Sequence, residues 1–173
     1  MITIISGTNR LENKSLRVAN AYSKICEELK VDAQILDLQS IPKDFIFSAS
    51  YGSQNVEFDA IVENYITSCD KFIFVVPEYN GSFPGMLKGF IDCVKPELWH
   101  NKKAAMIGLS AGKAGNLRGL DHLTGVMHYL QVEVLSKKPK LSAFHTLIDE
   151  KGQLSDGPSI ELMRAQVQKF LDF

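Results

Sequence analysis

At 173 residues the chain has the length of one domain, residues 1–173, able to bury an ordinary core without disulfide or metal staples. A formal net charge of −1 gives no electrostatic case for nucleic acid or an anionic membrane surface as partner. Cys26, Cys69 and Cys93, an odd number with no CxxC pair, argue against a disulfide framework and read as buried thiols in a reducing compartment. No run approaches the roughly 18 apolar residues of a membrane helix. The apolar start MITII is cut short by polar SGTNR. The expectation is therefore no spanning segment, no secretory leader and a cytoplasmic protein.

Residues 1–6 form a short apolar run bounded by Gly7 and read as a first strand. A helical pattern follows, with Leu16, Ala19, Tyr22, Cys26 and Leu29 at threes and fours and Ser15 as its expected N-cap. Residues 32–37 alternate weakly as a second strand. Residues 39–56 form a long mixed loop with isolated aromatics. Residues 58–69 form a second helix. FIFVVP, residues 72–77, is an uninterrupted apolar run ended by a proline, as in a strand buried on both faces. Pro84 is expected to open a third helix at its first position, with Leu87, Phe90, Ile91 and Val94 on one face and Pro96 as its stop. Residues 103–109 read as a fourth buried strand and 116–130 as a fourth helix. Residues 132–135 read as a short fifth strand and 136–155 as irregular chain. A last helix begins near Pro158, turning Ile160, Met163, Val167, Phe170 and Leu171 inward.

Strands alternating with helices predict a parallel sheet with right-handed crossovers and helices on both faces. Five strands in this rhythm suit a flavodoxin-like α/β/α sandwich with strand order 2-1-3-4-5, whose switch point lies between the first and third strands. The three loops richest in polar residues or glycine follow strands one, three and four, so they gather at one edge of the sheet. The first, GTNRLENKS (residues 7–15), opens onto a helix amino end that favours an anion. Thr8, Asn13 and Ser15 add side-chain donors, and Arg10 or Lys14 adds charge. It is neither a Walker loop nor GxGxxG. The second, PEYNGSFPG (residues 77–85), suits a flat heteroaromatic ring that needs hydrogen bonds at its edge. The third, SAGKAG (residues 110–115), brings backbone close to a ligand through Gly112 and Gly115. A phosphate seat beside a ring seat suggests a mononucleotide across the strand ends, and flavin mononucleotide (FMN) fits.

These motifs resemble the NADPH-dependent FMN reductase family, the flavodoxin-like group of quinone, chromate and some azo reductases. GTNR followed by Ser15 is similar to the family's phosphate loop. PEYNGS with Pro84, Gly85, Leu87, Lys88, Ile91 and Asp92 is similar to its most diagnostic motif. Ser110, Gly112, Gly115 and Arg118 are similar to its third loop. The resemblance implies that Thr8, Arg10, Asn13 and Ser15 hold the FMN phosphate. It further implies that Pro77, Glu78, Tyr79, Asn80 and Gly81 line the isoalloxazine ring, and that Ser110 and Gly112 take its far edge. Electrons would pass from NADPH or NADH to FMN and then to a quinone, flavin or similar small-molecule acceptor, by a ping-pong scheme. No side chain is expected to be catalytic, because the cofactor carries the chemistry. Two positions depart from the family pattern. Asn13 replaces a usual serine, and Asn116 a common glycine, with an altered approach on the dimethylbenzene or nicotinamide side expected from the latter.

The resemblance also implies a homodimer or homotetramer built on the helices after loops two and three. Phe45, Phe47 and Tyr51 then either wall the neighbouring copy's flavin site or pack in the core. His100, His122, His128 and His145 show no ligand spacing, so no metal is expected. Trp99 reads as a packing anchor near the sheet edge. The alternatives are a flavodoxin-like electron carrier and a flavin-free response-regulator type domain. The carrier would favour a strongly acidic chain and a hydroxyl-rich first loop. The flavin-free domain would favour an acidic cluster at the strand ends, where this chain offers Glu78.

Overall fold

The computed structural model describes residues 1–50 and 54–173. In chain order the elements are β1 (Ile2–Ser6), α1 (Lys14–Glu28), β2 (Ala33–Asp37), a short α2 (Phe45–Ser48) and α3 (Val56–Val62), which runs into a π-helical turn Glu63–Thr67. They continue with β3 (Lys71–Pro77), α4 (Gly85–Cys93), β4 (Lys103–Leu109), α5 (Leu117–Tyr129), β5 (Glu133–Val134), β6 (Lys140–Leu141) and α6 (Gly157–Leu171). All strand pairs are parallel and the order is β2-β1-β3-β4-β5, as the alternation of elements implies. The central strands are buried on both faces and their side chains alternate between two cores. Ile4, Ile73, Val75 and Ile107 face α1 and α6, while Ile5, Phe72, Phe74 and Met106 face α3, α4 and α5.

The fifth position of the sheet differs from the single strand expected at 132–135. β5 pairs with the start of β4 (Lys103↔Glu133) and β6 with its end (Leu109↔Leu141), so two short strands share one lane. Pro139 between them has no N–H to continue a ladder, although its carbonyl accepts from Gly108 N. Gln166 of α6 covers the interruption. Its side-chain amide donates to Met106 O at 2.9 Å and Lys137 O at 2.8 Å, and its oxygen accepts from Tyr22 OH.

Smaller differences have local causes. The N-cap of α1 is Asn13, whose Oδ1 accepts from Leu16 N at 2.7 Å, so Ser15 lies inside the first turn. Pro84 is an N-cap with extended backbone and not the first helical residue. Asn116 precedes α5 as a left-handed residue, φ 63°. Leu171 is partly exposed at the end of α6. Phe45 is fully buried, its ring stacked 5.4 Å from Phe58, so it belongs to the core and not to a neighbouring site. Phe47 points outward, 87% exposed; Tyr51 lies outside the described residues. Trp99 is buried edge-on to Phe72. Cys26 and Cys69 are buried, and burial pushes the Cys26 thiol up to about 11. Cys93 is only half-buried.

Replacing Gln166 by Ala strands the buried Tyr22 hydroxyl and two carbonyls. A loss of about 2–4 kcal/mol in unfolding free energy is expected by urea denaturation. A loss below about 0.5 kcal/mol would contradict the bridging role.

Candidate functional site

Parallel pairing brings the ends of β1, β3 and β4 to one edge, with Ser6 beside Val75 and Pro77 beside Leu109. There the first loop is locked to β3. Gly7 N donates to Val75 O at 3.0 Å, and a Cβ at Gly7 would lie 2.7 Å from that oxygen. Only glycine allows this approach. Beyond it, Asn13 Oδ1 accepts from both Ser6 Oγ and Leu16 N. The Asn13 Nδ2 amide and the Ser15 hydroxyl are buried and have no partner among the described residues. Stranded donors cost about 1–3 kcal/mol each unless something binds them. At the amino end of α1, an anionic oxygen is the fitting guest.

The second loop is tied to the first. Thr8 Oγ1 accepts from Arg10 N and shares a 2.9 Å hydrogen bond with Tyr79 OH. Tyr79 and Ser82 exchange backbone hydrogen bonds across Asn80 and Gly81, with φ of 50° and 77°. That is a two-residue hairpin turn, which needs two left-handed residues and favours Asn-Gly. Asn80 is therefore an exposed turn residue, and neither it nor Gly81 reaches the cavity wall. The same Asn-Gly pair carries the hairpin signal in the sequence. Ser82 Oγ lies 2.9 Å from His122 Nδ1, which joins the turn to α5.

In the third loop, Ser110 Oγ donates to Gly112 O and accepts from Gly115 N. Its hydroxyl holds the loop's shape. Gly112 is exposed and does not line the cavity. Asn116 turns inward, with its side-chain amide on Val76 O at 3.0 Å, so this residue does not face the cavity.

These loops enclose a cavity of about 390 Å³, within the range of small-molecule sites. Thr8, Arg10, Asn13 and Ser15 line one part and Pro77, Glu78, Tyr79 and Ser110 another. Six wall residues escape the sequence reading: Leu11, Glu12, Arg17, Leu109, Ala111 and Phe144. Phe144 arrives through long-range pairing, its N–H on Ser110 O and the preceding Ala143 N–H on Gly112 O. No local pattern announces that contact. Lys14 Nζ stands 5.9 Å from the centre of its ring. Among the described residues, none of Arg10, Lys14 and Arg17 is paired with a carboxylate. Two carboxylates, Glu12 and Glu78, line the same cavity.

The sequence model of a family described as NADPH-dependent FMN reductase matches residues 1–146. A 2-hydroxy-1,4-benzoquinone reductase from Burkholderia sp is 28% identical over 177 residues, covering 99% of this chain and 92% of that protein. An NAD(P)H-dependent FMN reductase from Pseudomonas aeruginosa is 36% identical over 118 residues, 64% of each chain. In structure, a flavoenzyme NAD(P)H:(acceptor) oxidoreductase from Paracoccus denitrificans superposes with a TM-score of 0.79 at 22% identity, over 99% of this chain and 94% of that one.

The two loop glycines make opposite demands. Gly81→Ala places a side chain at φ 77° and is expected to cost about 1–2 kcal/mol of stability. Gly112→Ala, whose Cβ meets nothing within 4 Å, is expected to stay within about 0.5 kcal/mol of the parent. Urea denaturation of both variants checks the pair, and equal costs would contradict the turn assignment.

Proposed function

The chain belongs to the NADPH-dependent FMN reductase family, and from that membership we propose that it is an FMN-dependent oxidoreductase passing electrons from NADPH or NADH to a quinone-type acceptor. The observation that carries this reading is the pair of buried, unpartnered donors, Asn13 Nδ2 and Ser15 Oγ, in the wall of a cavity built by three strand-end loops. The chemistry that bound FMN supplies is two-electron transfer from NAD(P)H to the acceptor.

The residues of the chain bind and orient. Thr8, Asn13 and Ser15, with the N-terminal dipole of α1, hold the phosphate, and Arg10 adds a charge-assisted contact. The Thr8–Tyr79 hydrogen bond keeps this seat in register with the ring seat. Pro77, Glu78 and Tyr79 line one side of the ring and Ser110 the far edge. Asn80 and Gly81 complete the ring side and Gly112 the far edge, through the backbone of the turns they shape. Glu78 lines the site with no proton-transfer role assigned. Nicotinamide and acceptor use the same open side in turn, which is the ping-pong scheme.

The whole of residues 1–173 acts as one domain, assembled as a homodimer or a homotetramer. An apolar groove between α4 and α5, with Ile91, Val94, Val126 and Leu130 in its wall, supports this assembly. Tyr129 on its rim is 88% exposed. Phe47, projecting from α2 beside α4, is the residue that reaches toward the neighbouring copy's site.

Purified protein is expected to quench FMN fluorescence and to oxidise NADPH when a quinone is added. Arg10→Ala is expected to weaken FMN binding by about tenfold or more, the loss of one charge-assisted contact. Protein that leaves FMN fluorescence unchanged would contradict the proposal. FMN binding without NADPH oxidation, across several acceptors, would return the electron-carrier reading. Sedimentation velocity is expected to give two or four chains per particle; the mass of one chain would contradict the assembly.

A further inference from the structure

The family match ends at residue 146, yet the chain beyond it returns to the anion end of the cavity. Residues 148–154 form a small hairpin. Ile148 bridges Leu154, Asp149 N donates to Gln153 O, and Gly152 N donates to Asp149 O. The Asp149 side chain accepts from Gln153 N at 2.8 Å. Leu154 anchors the hairpin in the core shared with α1 and α6. At its tip, Gly152 is buried with φ 72°.

What buries Gly152 is Arg17. The guanidinium donates from Nη1 to Gly152 O at 2.8 Å. It lies so close to the backbone that a Cβ at Gly152 would stand 2.2 Å from Nη1 and 2.8 Å from Cζ. Arg17 sits one turn into α1, is half-buried, and lines the same cavity as Asn13 and Ser15. One of its five N–H donors is committed to the hairpin, and no carboxylate among the described residues pairs with it. A guanidinium held this way has already lost its rotamer freedom, which lowers the cost of a further contact.

We propose that Arg17, clamped by the 148–154 hairpin through Gly152, is a second cation for the phosphate of the flavin, so that this chain's tail sets its preference for FMN over flavins without phosphate. The inference rests on the FMN reading given above. Charge supports it. A phosphate monoester carries close to two negative charges near neutral pH, and Arg10 supplies one positive charge. Lys14 is engaged over the Phe144 ring, while Glu12 and Glu78 in the same wall oppose the cations. Arg17 is the remaining guanidinium at that wall. Its role is binding and not catalytic.

The test is a fluorescence titration of apoprotein with FMN and, separately, riboflavin, which has the same ring and no phosphate. Arg17→Ala is expected to weaken FMN by about tenfold and to leave riboflavin within about twofold, the loss of one charge-assisted contact. Arg17→Lys keeps the charge but loses the planar fork, and is expected to fall between. Gly152→Ala, which displaces the guanidinium, is expected to weaken FMN alone and to add nothing in the Arg17→Ala background. A thermal melt verifies that Gly152→Ala folds, and if it does not, the Arg17 variants carry the test. FMN affinity unchanged in Arg17→Ala, or equal losses for both flavins, overturns the clamp while leaving the FMN reading intact. Wild-type protein that binds neither flavin overturns both.

Discussion

The site depends on a single close approach, that of Gly7 to Val75. The first loop leaves β1 where a side chain would collide with the Val75 carbonyl of β3, and glycine turns that collision into a hydrogen bond. The loop is thereby pressed against the neighbouring strand end, and α1 starts with its amino end over the crevice between β1 and β3. The Thr8–Tyr79 hydrogen bond then fastens the second loop to the first. Without this approach the two seats would have no fixed distance between them. A mononucleotide needs that distance, because its phosphate and ring are joined by a chain of set reach.

The alternation of strands with helices and the unbroken apolar runs of β3 and β4 are local or periodic properties legible in the sequence. Strand order and the gathering of three loops at one edge follow from them by the topology rules of parallel sheets. The phosphate-loop residues Thr8, Arg10, Asn13 and Ser15 do come together at one wall. Asn13 illustrates the limit of such reading. Spacing points to Ser15 as the helix cap, whereas Asn13 caps with its oxygen and has no partner for its amide among the described residues. Asn80 and Gly81 illustrate another, since residues suited to a ligand are equally suited to the tight hairpin they form here.

What the sequence could not disclose arrives from far along the chain. Phe144 reaches the cavity because Ala143 and Phe144 hydrogen-bond to the third loop, and Arg17 is held by a glycine 135 positions away. The split fifth lane of the sheet has the same origin. Two strands of two residues each carry no periodicity, and they persist because β4 and Gln166 supply their partners. Asn116 shows the reverse case. This departure from the family pattern donates its side-chain amide to Val76 O inside the fold, at the start of α5.

On the function proposed here, a phosphate-bearing flavin lies across the ends of β1, β3 and β4, with its phosphate on the unpartnered donors of the first loop. The most direct measurement is the ratio of wild-type affinities for FMN and riboflavin, titrated against the same apoprotein. Two buried donors, the guanidinium groups of Arg10 and Arg17 and a helix amino end acting on one dianion should favour FMN by about a hundredfold or more. Equal affinities would contradict the account, since the anion end of the cavity would then be contributing nothing.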